Sequence, residues 1–126
     1  MENKKLLFSK AELIFYRELT QFAQNKNICI FPKVRIADLV TPKYALDNST
    51  FMKVFLKLSQ KHVDYVLTDT KWKILCVLEL DGESHTYWKT LENDKFKNQF
   101  FENIWLPLIR FQNYGLHNFS KINNIL

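Results

Sequence analysis

Two carboxylates stand close together in Val77-Leu78-Glu79-Leu80-Asp81-Gly82-Glu83-Ser84-His85, at the end of an otherwise apolar run. Alternate residues of a strand point to the same side, so Glu79 and Asp81 share one face while Leu78 and Leu80 pack on the other. Neighbouring carboxylates repel and a buried unpaired ion is costly, so the pattern calls for a bound cation or a shared proton. The alternative is a frayed strand end whose acids are simply hydrated. A third acid, Asp64, lies in a similar run just upstream, and antiparallel pairing across a turn near Thr70 to Trp72 brings it close to Glu79. Asp64, Glu79 and Asp81 then form a cluster of hard oxygen ligands suited to Mg²⁺ or Mn²⁺. Such an ion polarises a phosphoryl oxygen and generates hydroxide for in-line attack.

The elements that must position these acids are legible in outline. Ser9-Lys10-Ala11-Glu12 is a capping-box pattern, and Phe15, Leu19 and Phe22 recur at helical spacing, which predicts a helix over about Lys10 to Gln24. Ile28 to Phe31 reads as a short strand closed by Pro32, with Val34 and Ile36 continuing an extended segment. Thr41 to Thr50 reads as a loop, and Phe51, Val54, Phe55 and Leu58 as a short second helix. His62 to Thr68 and Ile74 to Asp81 should pair as a hairpin. Ile74-Leu75-Cys76-Val77-Leu78 is apolar on both faces, so it belongs in a central strand covered on both sides. A helix over about Thr90 to Asn103 supplies one cover and the first helix the other. Pro107 to Phe111 reads as a further strand, and Leu116, Phe119 and Ile122 as a closing helix. This order predicts an α/β fold with a compact mixed sheet sandwiched by helices.

Composition narrows the class. A chain of 126 residues, 47% hydrophobic and with 11 Phe, can bury the core of one ordinary domain over 1–126 and is too short for two. No stretch approaches the ~20 apolar residues that span a bilayer, and no signal peptide is visible. The expectation is a cytoplasmic protein without membrane contact. Cys29 and Cys76 are far apart and lack metal-site spacing, so they read as reduced core residues. The 18 Lys plus Arg exceed the 13 Asp plus Glu, and with the site itself acidic, the surplus must lie elsewhere, where it could hold phosphates.

Asp64, then Glu79-x-Asp81 on the next strand, then a helix and a strand ending in Arg110, resembles the PD-(D/E)XK (restriction-endonuclease-like) nuclease superfamily. Within it, the strings Phe31 to Asp38, Lys61 to Leu67, Glu79 to His85, Asp94-Lys95-Phe96-Lys97 and Leu106 to Arg110 resemble a bacterial domain of unknown function. That domain is sometimes fused to topoisomerase-type zinc fingers and is related to very-short-patch-repair-like nucleases. The resemblance runs from about Leu7 to Phe111. It implies an αβββαβ core and metal-dependent hydrolysis of nucleic-acid phosphodiesters, with DNA the expected substrate. Two departures stand out. Asp81 occupies the place of the superfamily's namesake lysine, as it does in the related repair-like families, and Asn93 replaces an arginine the family tends to carry.

The resemblance also implies roles for other residues. Asp64 and Glu79 would be direct ligands, with Asp81 ligating or positioning water. With Phe96 as reference, helical phase turns Phe100, Phe101, Ile104 and Lys97 inward and Lys95 outward. Lys97 thus fits a relocated catalytic lysine, or else a stem lying along the core with its head at the rim. Glu12 matches an acid that in many superfamily members reaches the metal from the first helix, although the cap with Ser9 also accounts for it. His85 would orient a water or contact phosphate. Lys61, His62 and Lys95 are candidates for nucleic-acid contact, and His117 reads as surface. The rival function is a non-catalytic module on this fold that binds nucleic acid or a partner protein, and homodimerisation is compatible with either.

Overall fold

The computed structural model describes residues 1–41, 53, 56–82 and 88–126, with the side chains of 88–93 outside that description. Helix α1 spans Lys10–Ala23 and opens on a reciprocal cap. Ser9 Oγ accepts the Glu12 N–H at 3.2 Å, and Glu12 Oε1 accepts the Ser9 N–H at 3.1 Å. Phe15 and Leu19 form its buried stripe. The helix gives out at its cap, Gln24, after which Asn25 and Asn27 take left-handed φ values of 62° and 56°. Asparagine tolerates that conformation better than most residues.

Strand β1 (Ile28–Arg35) continues past Pro32 instead of closing there, with a break in its pairing at Lys33, whose φ is 52°. Among the described residues it is an edge strand with β2 as its one neighbour, a position that accepts a proline because the missing N–H can face away from the sheet. A 3₁₀ turn, Ile36–Leu39, follows. Lys53 and residues 56–58 are helical, while Phe51, Val54 and Phe55 of the expected second helix, and nearly all of the expected loop over Thr41 to Thr50, lie outside the described residues.

Strands β2 (His62–Asp69) and β3 (Ile74–Asp81) pair antiparallel, as their apolar runs predict. Helix α2 (Trp88–Asn103) carries the chain over to β4 (Leu108–Gln112), which lies parallel to β3. Among the described residues the result is a mixed sheet of four strands in the order β1-β2-β3-β4. The two central strands are covered on both sides. Tyr65, Leu67, Cys76 and Leu78 pack with Phe15 and Leu19 of α1, and Val66 and Val77 pack with Phe100 and Phe101 of α2. Burial in this core pushes the Cys76 thiol up to about 12, so it stays protonated at neutral pH.

The chain end departs from expectation. Helix α3 is a single turn, Ser120–Asn123, and Leu116 lies in solvent rather than on a helix face. Phe119 and Ile122 do pack onto the α1 side of the sheet. His117 is not a surface residue: its side chain is 6% exposed and sits among the rings of Phe15, Phe111 and Phe119. No helix among the described residues is long and apolar enough to cross a membrane.

Candidate active site

The site forms where β2 and β3 part. Their pairing runs from Thr68↔Ile74 to Tyr65↔Leu78, and one more step in that register sets Asp64 across from Glu79. There the ladder stops, and the Asp64 side chain replaces a backbone acceptor by taking the Leu80 N–H on Oδ2 at 2.7 Å. Leu78 and Leu80 pack toward α1, so Glu79 and Asp81 lie on the opposite face, beneath α2.

Glu79 is 7% exposed. Burial raises its carboxyl, the nearby Lys97 charge opposes the rise, and Asp64 adds to it through charge and a shared hydrogen bond, leaving Glu79 pushed up to about 7. Glu79 is therefore poised to take up or release its proton near neutral pH. Lys97 Nζ stands 2.7 Å from Glu79 Oε1 and 3.4 Å from the His62 carbonyl oxygen. The inward phase of this lysine on α2 is as the helical periodicity predicts, and Lys95 is exposed on the other side. Phe100 and Phe101, buried against Val66 and Val77, fix the face on which Lys97 projects.

Asp81 belongs to a second cluster. Arg110 Nη1 lies 2.9 Å from Asp81 Oδ1 and 3.4 Å from Asp94 Oδ1, and its Nε donates to Asn98 Oδ1 at 3.2 Å. Parallel pairing places Arg110 directly beside Glu79 on the neighbouring strand. The guanidinium thus ties β3 to the stretch of α2 that carries Lys97. Sequence reading singled out Arg110 only as the end of a strand motif. Its partners on β3 and α2 are distant in sequence, and only the β3/β4 register brings them together.

The structure brings Asp64, Glu79 and Lys97 together and sets Asp81 apart with Arg110. Among the described residues, no three His, Cys, Asp or Glu side chains converge as a metal-holding group. Asp64 and Glu79 by themselves fit a hard divalent cation: they are adjacent, oxygen-bearing and mutually repulsive, and Mg²⁺ is commonly held by one or two carboxylates with the rest of its shell from water and substrate phosphate. Glu12 is directed elsewhere. Its Oε2 lacks a well-angled hydrogen bond but lies 2.7 Å from Lys33 Nζ. Burial would raise the Glu12 carboxyl, yet Lys33 and the Ser9 cap outweigh it and hold the group below its ordinary value. Lys61 and His62 flank the entrance to β2, with the His62 side chain turned to solvent. His85 lies outside the described residues.

Residues 4–126 match the family described as "protein of unknown function (DUF2726)", and the chain belongs to that family. No curated protein and no solved structure matches it.

Proposed function

We propose that this chain is a metal-dependent nuclease with a restriction-endonuclease-like core, hydrolysing nucleic-acid phosphodiesters, DNA foremost. The observation that carries the reading is the buried pair Asp64 and Glu79 at the parting of two central strands, with the Lys97 ammonium on Glu79. A core held only for stability gains nothing from two facing carboxylates. A site that must hold a cation and a phosphate needs them.

Asp64 and Glu79 would hold the ion, which when bound would polarise a phosphoryl oxygen and lower the pKa of a water. Lys97 contributes a fixed positive charge beside that position, where negative charge accumulates on an attacked phosphate. Its stem is packed on the core side of α2, so it needs little reorganisation to act. Asp81 and Arg110 serve as positioning residues by fixing α2 against β3. Lys61, His62 and Lys95 lie around this end as candidates for contact with the nucleic-acid backbone.

The test is to incubate purified protein with single-stranded, duplex and branched DNA and with RNA, each with Mg²⁺ or Mn²⁺. Cleavage by the wild type and its loss in Asp64→Ala and Glu79→Ala are expected. Cleavage at the wild-type rate by either variant would assign the activity to another site or a contaminant. The second reading, a non-catalytic binding module, draws on the Lys97 ion pair, which neutralises Glu79 without a metal. Nucleic-acid binding with no cleavage of any of these substrates would favour it.

A further inference from the structure

At the end of the sheet away from Asp64 and Glu79, the β2–β3 turn carries Trp72, with φ of 70° and 73% exposed as a residue. Left-handed backbone is uncommon for a bulky residue and is the usual place for glycine or asparagine. The turn holds it there: Asp69 Oδ1 accepts the N–H groups of Lys71 and Lys73 at 2.8 and 3.0 Å, and the Trp72 N–H donates to the Asp69 carbonyl at 3.2 Å. One side of the indole leans on Phe31, ring centroids 5.5 Å apart. Phe31 is itself packed on the core beneath α2, so the indole is backed by fixed structure and presents its remaining surface to water. Lys71 and Lys73 flank it, both exposed and neither in an ion pair among the described residues.

A second tryptophan repeats the pattern. Trp105 occupies the left-handed position that ends α2, with φ of 59°, where glycine is customary. Its N–H bonds the Glu102 carbonyl and the Leu106 N–H bonds the Phe101 carbonyl, closing the helix, while the residue is 93% exposed. Trp105 lies three residues before β4 begins at Leu108, and β4 runs parallel to β3 with Leu108 beside Val77, so Trp105 lies toward the end of the sheet where Trp72 sits.

We propose that this end of the sheet binds an unpaired nucleic-acid strand, with a nucleobase stacked on Trp72 and backbone phosphates on Lys71 and Lys73. Stacking on an aromatic needs an open base face, which a duplex buries, and cationic flanks suit the phosphates on either side of that base. The inference deepens the nuclease reading and rests on it for the form of substrate it names. At ~3.3 Å per residue, β2 sets the Trp72 turn about 17 Å from Asp64, a separate foothold from the reacting phosphate.

Binding is measured without metal, so that it is independent of cleavage. Labelled oligothymidylate, a duplex of equal length and polyglutamate are titrated in EDTA against the wild type, Trp72→Ala, Trp72→Phe, Trp105→Ala and the double variant Lys71→Gln, Lys73→Gln. Oligothymidylate should bind more tightly than duplex. Trp72→Ala should weaken it about tenfold or more, Trp72→Phe should retain most of it, and the double lysine variant should flatten its salt dependence. Unchanged binding in folded Trp72→Ala, equal binding of duplex, or polyglutamate binding as tightly as oligothymidylate would overturn the inference, the last pointing to an acidic protein partner. Strand binding that depends on Trp72 in a protein that cleaves nothing would uphold the foothold while removing the nuclease. Cleavage by a protein whose strand binding ignores Trp72 would do the reverse.

Discussion

Lys97 pairs with Glu79, and under the proposed nuclease reading it must also be able to meet a phosphate. At 14% side-chain exposure it lacks the water that would cheaply hydrate an unpaired ammonium, so Glu79 is its natural partner in the absence of ligand. Lys97→Met keeps the apolar stem and deletes the charge. This variant should fold and cleave ~10²-fold or more slowly, by analogy with loss of one preorganised donor, while exposed Lys95→Met should cost little. Single-turnover cleavage of both variants decides the point, and equal rates would remove Lys97 from the chemistry. The same substitution takes away the charge that opposes Glu79's rise, so the Glu79 carboxyl should titrate above about 7 when followed by NMR. Sequence alone leads one to expect that deleting Asp64 relieves repulsion at no cost in stability. Its bond to the Leu80 N–H changes that balance, because Asp64→Ala leaves a donor without its acceptor.

At the scale of elements, two long-range clamps hold the helices on the sheet. Arg110 joins β4 to β3 through Asp81 and to α2 through Asp94 and Asn98. Arg110→Met removes the positive charge that Asp81 and Asp94 share. The expected loss is about 1–3 kcal/mol, less than for a sealed pair because these groups keep some contact with water. Urea unfolding checks it. The second clamp is His117, whose Nδ1 lies 2.8 Å from Glu18 Oε2 and whose Nε2 lies 2.6 Å from the Gln112 carbonyl oxygen. Both partners are oxygen acceptors, so the ring is held from both of its nitrogens. His117→Phe keeps the aromatic packing and loses both polar contacts. The Ile122 amide should then exchange hydrogen faster while amides of β2 and β3 remain protected. What was legible in the sequence was local: the Ser9–Glu12 cap, the alternation in β3, and the aromatic phase of α2 that turns Lys97 inward. Pairings set by tertiary register were not. His117 and Glu18 are 99 residues apart, and nothing near either one announces the other. Pro32 misled for a related reason, since a proline ends a strand or merely marks an edge depending on neighbours that local sequence does not name.

For the whole molecule, the Asp64–Glu79 pair ties folding stability to pH. Folded Glu79 keeps its proton up to about pH 7, whereas the unfolded chain releases it near the ordinary value of 4.5. A carboxyl whose folded pKa is raised gives its full contribution below the unfolded value and loses it as pH climbs through the folded one. The Glu79 contribution should therefore fall between about pH 4.5 and pH 7 and level off above. Asp64→Asn isolates the pair, because the amide oxygen still accepts the Leu80 N–H while the repelling charge is gone. In EDTA, this variant should stay near the wild type at pH 5, where Glu79 is protonated, and exceed it by on the order of 1 kcal/mol at pH 8, where Glu79 is charged. Urea midpoints at the two pH values measure the difference, and an equal gain at both would show that the acids are not coupled. Mg²⁺ should reverse the order at pH 8 by stabilising the wild type and leaving Asp64→Asn unmoved, since a ligand stabilises only the state that binds it. A rise of the same size in both proteins would place the ion away from Asp64 and remove the metal from this site.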